Sequence, residues 1–294
     1  MSERYPLIAI TGSSGAGTSQ VSRTFAGIFR RENVRATLVE GDAFHRYNRA
    51  EMVAHNQRNR HHHPDTSLFG PTTNLFAELE QLFRDWTQHG TGRYRHYLHD
   101  DDAARAHGGE PGTFTAWQDV PADTELLFYE GLHGGVQTDE VNMAVWPDLL
   151  VGVVPVINLE WIQKLWRDRK ERGYSTEAVT DIILRRMPDY VRYICPQFSR
   201  THINFQRVPC VDTSNPFIAR DIPSPDESFV VIRFRDPRGV DFPYLQRMIH
   251  DSFMSRANTL VIPGGKMELA MQLIFTPIVW QLMERRQKAL GAQP

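Results

Sequence analysis

Three features of the sequence predict a three-layer α/β fold, with a mixed, mostly parallel sheet between layers of helices. Short apolar runs bounded by turn residues recur along the chain, as buried strands do. Helix-period patterns separate most of these runs, the alternation expected of a sheet covered on both faces. The first run, LIAIT at 7–11, ends in a glycine-rich turn that opens into an amphipathic helical pattern, with Val21, Phe25, Ile28 and Phe29 on one face.

The other elements follow in order. ATLVE (36–40) is a second strand, leading into GDAFHRYNR, and ELLFYEG (125–131) is a third, closing on a carboxylate and a glycine. LLVGVVPVI (149–157), FVVIRF (229–234) and TLVIP (259–263) bring the set to about six, and runs at the far end could add antiparallel edges. WIQKLWRDRKERGYSTEAVTDIILRR (161–186) reads as a charged lid helix. Residues from about 265 to 290 read as a closing helix, kinked or broken at Pro277. NRHHHPDTSLFGP (59–71) and HDDDAARAHGGEPG (99–112) read as mobile loops. No repeat, low-complexity tract or linker interrupts the chain, so residues 1–294 read as a single domain with its lid at about 161–190.

Bulk properties narrow the function classes. A chain of 294 residues fits one large α/β domain or two small ones. A formal charge of −2 argues against broad nucleic-acid binding, which needs a basic surface. Cys195 and Cys210 are too few for a disulfide framework and read as reduced thiols. The opening apolar stretch, LIAI, is too short for a signal segment. The longest near-apolar run, LLVGVVPVINL (149–159), is broken by Pro155 and falls below the roughly 18 residues of a membrane span. A soluble, cytoplasmic protein is expected.

The glycine-rich turn carries the first chemistry. In ITGSSGAGTSQ, Gly12, Gly17 and Ser19 fit the P-loop pattern G-x-x-x-x-G-K-[ST], but Thr18 occupies the lysine slot. Such a loop, here Gly12, Ser13, Ser14, Gly15, Ala16, Gly17 and Thr18 with Ser19 and Gln20 opening the helix, turns backbone N–H groups onto phosphate oxygens. Ser19 is placed to ligate Mg²⁺. A unit charge about 4 Å from a phosphate is worth about 4 kcal/mol at an effective dielectric near 20, so a cation is expected from elsewhere. The lid offers Lys164, Arg167, Arg169, Lys170, Arg172, Arg185 and Arg186, with Lys164, Arg167 and Asp168 on one helical face. A solvated charged helix is the plainer alternative.

Two carboxylates end strands. Asp42 lies two residues past ATLVE, at the sheet end where nucleotide-binding folds place ligands, and could take the proton of an attacking hydroxyl. It could equally cap a helix. Glu130 closes its strand as a Walker B acid does when it holds Mg²⁺, or serves as a turn carboxylate. His61, His62 and His63 are adjacent and cannot all face one ion, so they read as loop. His99, near Arg95 and Tyr97, is a binding or a structural residue.

GSSGAGTS, EGDAFHRYNR, LLFYEGLHGG, GVVPVINLEWIQK and QFSRTHINFQRVPCVDTSNPF together resemble the bacterial branch of the phosphoribulokinase family, essentially end to end. That branch carries threonine in the P-loop lysine slot. The resemblance implies a P-loop NTPase/kinase-like fold and transfer of the γ-phosphoryl of ATP, with Mg²⁺, to the 1-hydroxyl of ribulose 5-phosphate in the Calvin cycle. It implies Asp42 as catalytic base, Glu130 beside the metal, Asp168 near the reacting centre and Lys164 as the cation missing from the loop. His45, Arg49, Tyr97, His99 and Arg172 would grip the sugar phosphate, and Arg167, Arg185 and Arg186 would add positive charge to the closed site. Bacterial members respond to NADH as activator and AMP as inhibitor, which assigns Arg31, Arg233 and Arg256 to effector binding, and the family suggests a homo-oligomer. The regulatory cysteine pair of plant relatives has no counterpart near this P-loop.

The chain departs from that pattern at Val53, four positions after Arg49, where autotrophs' enzymes carry lysine, and in the segment after it. Two other readings therefore stand beside the first. One is a kinase of the same fold acting on a nucleoside or another pentose phosphate; the basic residues around Asp42 and in the lid favour a phosphorylated acceptor. The other is a non-catalytic nucleotide sensor, which retention of both Asp42 and Glu130 counts against. A GTPase is disfavoured because N-K-x-D is absent.

Overall fold

LIAITG forms β1 (Leu7–Gly12), and all six residues are buried. A run with no polar side can rest only in a sheet covered on both faces. The structure is a computed structural model describing residues 3–12, 18–58, 67–154, 156–172, 175–218 and 221–291, without the side chains of Ser19, Glu171 and Arg172. After β1 come α1 (Thr18–Arg31), β2 (Ala36–Glu40), a 3₁₀ turn at Gly41–Phe44, α2 (Arg49–Arg58), α3 (Phe76–His89), β3 (Arg93–Tyr94), α4 (Asp101–His107), β4 (Gln118–Asp119) and β5 (Leu126–Gly131). The second half holds β6 (Leu149–Val154), α5 (Ile157–Arg172), α6 (Thr176–Asp189), β7 (Ile203–Pro209), β8 (Ser228–Phe234), α7 (Phe242–Met248), β9 (Phe253–Arg256), β10 (Thr259–Pro263) and α8 (Met267–Ala289).

The main sheet has eight strands in the order β2-β5-β1-β6-β7-β8-β10-β9. From β2 to β7 each neighbouring pair is parallel, and β8, β10 and β9 extend the sheet antiparallel. The mixed, helix-flanked sheet expected from the sequence is present. On one face α1 and α8 pack together, with Phe25 stacked on Phe275 at 4.5 Å between ring centres. On the other, α3 buries Leu79, Phe83 and Trp86 against β1 and β5, and the indole of Trp86 donates to the Pro6 carbonyl. Because β1 lies mid-sheet, its carboxyl end opens onto a crevice with β2 and β5 on one side and β6 on the other, the position at which such sheets bind ligands.

Four expectations need correction. Residues 99–112 are not all loop: α4 forms within them, because the Asp100 side chain accepts from Ala103 N at one end and Gly108 takes a left-handed cap at the other. The lid is two helices, α5 and α6, with Ser175 capping the second through Ala178 N. α8 runs unbroken through Pro277. The lost hydrogen bond there, about 3 kcal/mol, is offset by burial of Met271, Ile274, Phe275, Val279 and Leu282 on one side. β3, β4 and β7 are strands in addition to the six expected, and β9 is an antiparallel edge of the kind expected at the far end. His61, His62 and His63 lie outside the described residues. Both cysteines are free thiols, as expected, and no helix among the described residues is long and apolar enough to cross a membrane.

One buried and one half-buried histidine, His133 and His202, make the fold acid-sensitive. Burial pushes His133 down to about 3 and His202 down to about 4. His202 accepts the Leu150 amide at Nδ1, which only the neutral ring can do, and His133, donating through Nε2 to the Phe69 carbonyl, is kept neutral by its burial. The unfolded chain binds protons below about pH 6.5 that the folded chain refuses. Stability is therefore full above that pH and falls as the pH drops toward the folded values, by up to about 1.4 kcal/mol per unit for each histidine. Urea midpoints at pH 7, 6 and 5 check this; a flat series would contradict it.

Candidate active site

β2 and β5 deliver the two strand-end carboxylates to one edge of the sheet. Glu40 of β2 stands in register with Glu130 of β5, and a glycine follows each, Gly41 opening the 3₁₀ turn and Gly131 ending β5. The chain needs both glycines. A Cβ at Gly131 would lie 2.5 Å from the Tyr129 hydroxyl and 2.7 Å from Gly41 Cα, and one at Gly41 would lie 2.6 Å from that hydroxyl and 2.8 Å from Gly131 Cα. Replacing Gly131 by alanine should force these strand ends apart, costing about 1–3 kcal/mol. It should also lower turnover, because Glu130 and Asp42 move with them. Paired melting and activity measurements check this.

Asp42 projects from the 3₁₀ turn after Gly41, its side chain 42% exposed. Two imidazoles flank it, His45 Nε2 at 3.6 Å from one oxygen and His99 Nε2 at 3.7 Å from the other. Burial lowers the pKa of His45, and the Asp42 charge opposes that shift. Arg95 holds the turn by donating to the carbonyls of Ala43 and His45, both at 2.7 Å, with its guanidinium over the Phe114 and Trp117 rings. Glu130 accepts the Ser22 hydroxyl of α1 at 2.5 Å.

The lid closes the other side. Lys164 Nζ lies 2.5 Å from Asp168 Oδ2, and Arg167 Nε lies 3.5 Å from Asp168 Oδ1. Asp168 is 2% exposed. Burial lowers the Lys164 pKa, with Asp168 working against the shift. So the predicted helix face exists, with the carboxylate beneath and the cations toward the crevice.

A cavity of about 540 Å³ joins these parts. Gly12 and Thr18 border it at the ends of the glycine-rich loop, Asp42, His45 and His99 on the β2 side, Glu130 at the back, and Lys164, Arg167 and Arg186 on the lid. Ser13 to Gly17 lie outside the described residues, as do the side chains of Ser19 and Arg172; Gln20 sits in the first turn of α1. Arg49 is turned to the His99 carbonyl at 2.8 Å, and Tyr97 packs on the rings of His45 and His99, so both stand one step behind the lining. Arg185 pairs with Asp181 at 2.5 Å and does not line the cavity. Val53 is 54% exposed on α2 and is likewise absent from the lining. Arg233 and Arg256 lie far along the sheet, registered on either side of Thr259 and exposed. Arg31 ends α1 and donates to Thr276 of α8.

Several lining residues escaped the sequence reading. Glu40 is one, its carboxyl pushed up by burial and by its acidic neighbours Asp42 and Glu130. Its place at the end of ATLVE, two residues before Asp42, was the available signal. Glu160 accepts the Tyr190 hydroxyl at 2.9 Å, and with Trp161 it borders the cavity from α5. That contact bridges 30 residues and leaves no local trace.

A phosphate-loop strand, acids at neighbouring strand ends and cations carried on a helical lid define a kinase for a small hydroxylated acceptor. Comparison places the chain more closely. Residues 7–214 match the phosphoribulokinase / uridine kinase family, and the chain belongs to that family. It is 71% identical over 290 residues to the chromosomal phosphoribulokinase of Cupriavidus necator, covering 98% of this chain and 99% of that one. It is 65% identical over 294 residues to the phosphoribulokinase of Nitrobacter vulgaris, covering 98% and 100%. Among solved structures, phosphoribulokinase from Rhodobacter spheroides superposes with a TM-score of 0.89 at 58% identity, covering 97% of this chain and all of the other.

Proposed function

We propose that this chain transfers the γ-phosphoryl group of ATP to the 1-hydroxyl of ribulose 5-phosphate, giving ribulose 1,5-bisphosphate. The observation that carries the reading is the exposed Asp42 carboxylate between His45 and His99, in one cavity with the lid cations Lys164, Arg167 and Arg186. A carboxylate so placed takes the proton of the attacking hydroxyl, while fixed cations meet the charge on the phosphoryl oxygens. The remaining work is positioning for an in-line transfer. The basic groups around the cavity also suit an acceptor that carries its own phosphate.

The donor set suits Mg²⁺. Among the described residues no three His, Cys, Asp or Glu side chains gather as an ion cage, and Mg²⁺ binds through one or two carboxylates together with substrate phosphates and water. Glu130 and Ser19 would hold it, and when bound it neutralises charge on the phosphate oxygens. Lys164 takes the part of the P-loop lysine that Thr18 replaces.

The reading treats residues 1–294 as one cytoplasmic enzyme with its lid at about 161–190. It extends to a homo-oligomer activated by NADH and inhibited by AMP through Arg31, Arg233 and Arg256; the exposure of Arg233 and Arg256 on the two strands that flank β10 supports it. ADP release with Mg-ATP and ribulose 5-phosphate, beside uridine and other pentose phosphates and with or without NADH, tests the acceptor and the NADH response. Turnover on ribulose 5-phosphate alone, raised by NADH, is expected. Turnover on a different acceptor, or ATP binding without turnover, would overturn the assignment, and indifference to NADH would remove the effector reading.

A further inference from the structure

Gln197 is fully buried, and all of its hydrogen-bonding capacity is used. Its Oε1 accepts the Thr11 hydroxyl at 2.6 Å and the Gly135 amide at 2.9 Å. Its Nε2 donates to the carbonyls of Leu132 and Tyr193, both at 2.8 Å. Both lone pairs and both N–H groups are thus satisfied, and the partners fix which way the amide points. No other side chain type of this size could make these four bonds.

The four partners come from three parts of the site. Thr11 is the residue before Gly12, where β1 enters the phosphate loop. Leu132 and Gly135 follow Glu130 and Gly131 at the end of β5. Tyr193 belongs to a π-helical turn, Tyr190–Ile194, through which α6 leaves the lid just after Pro188. A π turn leaves carbonyls free for other donors and recurs at functional sites. The same turn places the Tyr190 hydroxyl on Glu160 of α5 at 2.9 Å. α6 therefore runs into a turn that α5 also touches through Glu160, and the next fixed point of that turn is the Gln197 amide.

We propose that Gln197 is a positioning residue, which holds the root of the lid in register with the strand that delivers the phosphate loop and with the strand that delivers Glu130. The inference rests on the kinase reading for its kinetic consequence: Lys164 on the lid and the loop amides must reach the same phosphoryl group together. A buried amide that only stabilises the fold would lower melting temperature and leave turnover per folded molecule intact.

Two substitutions separate these roles. Gln197→Met keeps length and removes all four bonds. With each protein assayed well below its own melting temperature, kcat should fall by about tenfold or more while both KM values stay within about threefold, the pattern of lost transition-state alignment. Gln197→Glu keeps shape and tests the donors. Its protonated form keeps one donor, whereas its ionised form turns a charge onto the Leu132 and Tyr193 carbonyls, and burial raises the pKa of such an acid into the assay range. The ratio of variant to native kcat should therefore fall by about tenfold between about pH 6 and pH 8.5. The third readout needs no acceptor. Amide exchange across 190–194 should slow when Mg-ATP binds the native chain, and lose that response in Gln197→Met. Unchanged kcat in folded Gln197→Met, a pH-independent ratio, or an Mg-ATP response that survives in the variant would each overturn the proposal. Failure of the kinase reading looks different: the native chain itself turns over no acceptor, while the exchange response still depends on Gln197.

Discussion

Asp42→Asn should lower kcat by between about 10²- and 10⁴-fold, the range that positioned general bases contribute. The substitution keeps size and hydrogen-bonding reach, and the side chain is 42% exposed, so no packing is lost. The turn that carries it is held from behind by Arg95 through the carbonyls of Ala43 and His45, and neither bond involves the Asp42 carboxylate. ATP affinity and melting temperature should consequently stay near native. Steady-state kinetics with calorimetric ATP binding checks both halves. Near-native turnover would remove Asp42 from the base role and leave it as a structural partner of His45 and His99.

Lys164→Met should lower kcat/KM by about 10²- to 10³-fold, the size of one lost cation–phosphate contact of about 4 kcal/mol at intermediate dielectric. Part of the effect is structural, because Asp168 is buried beneath Lys164 and would keep Arg167 at 3.5 Å as its neighbour. Unbalancing a buried ion pair is itself costly, about 3–5 kcal/mol in other proteins. Lys164→Arg separates the two contributions by retaining charge over Asp168 in a different geometry. If Lys164 stands in for the lysine that Thr18 displaces, the arginine variant restores stability and regains only part of kcat/KM. An unchanged kcat/KM in Lys164→Met would reject that account of the threonine.

β1 and β10 were legible because burial on both faces leaves a continuous apolar run, and LIAIT and TLVIP match them within a residue. ATLVE matches β2 although only Val39 in it is buried. β7 was not legible, since its alternation of Ile203 and Phe205 with Asn204 and Gln206 stops after four residues, and its strand identity comes from pairing with β6 and β8. β9 is an exposed edge strand of four residues with little apolar signal. α4 buries only Ala104 and owes its existence to its caps, which a reading by hydrophobic period overlooks.

Within the site the same division holds. Asp42 and Glu130 could be found because strand ends are visible in sequence, and Lys164 and Asp168 because a helix repeats every three to four residues. Arg95 and Gln197 could not, because their partners lie 50 or more residues away for Arg95 and as far as 186 for Gln197. Arg49 and Tyr97 show the converse, since the family resemblance implied direct contact for them and folding sets them behind His45 and His99.

The most direct test of the account is the identity of the product. Phosphorus and carbon NMR of a reaction containing Mg-ATP and ribulose 5-phosphate should show a new phosphate monoester on C1 of the sugar, with ADP formed in equal amount. Phosphate appearing at another carbon, or ADP accompanied only by inorganic phosphate, would contradict the assignment of Asp42 as the base for the 1-hydroxyl.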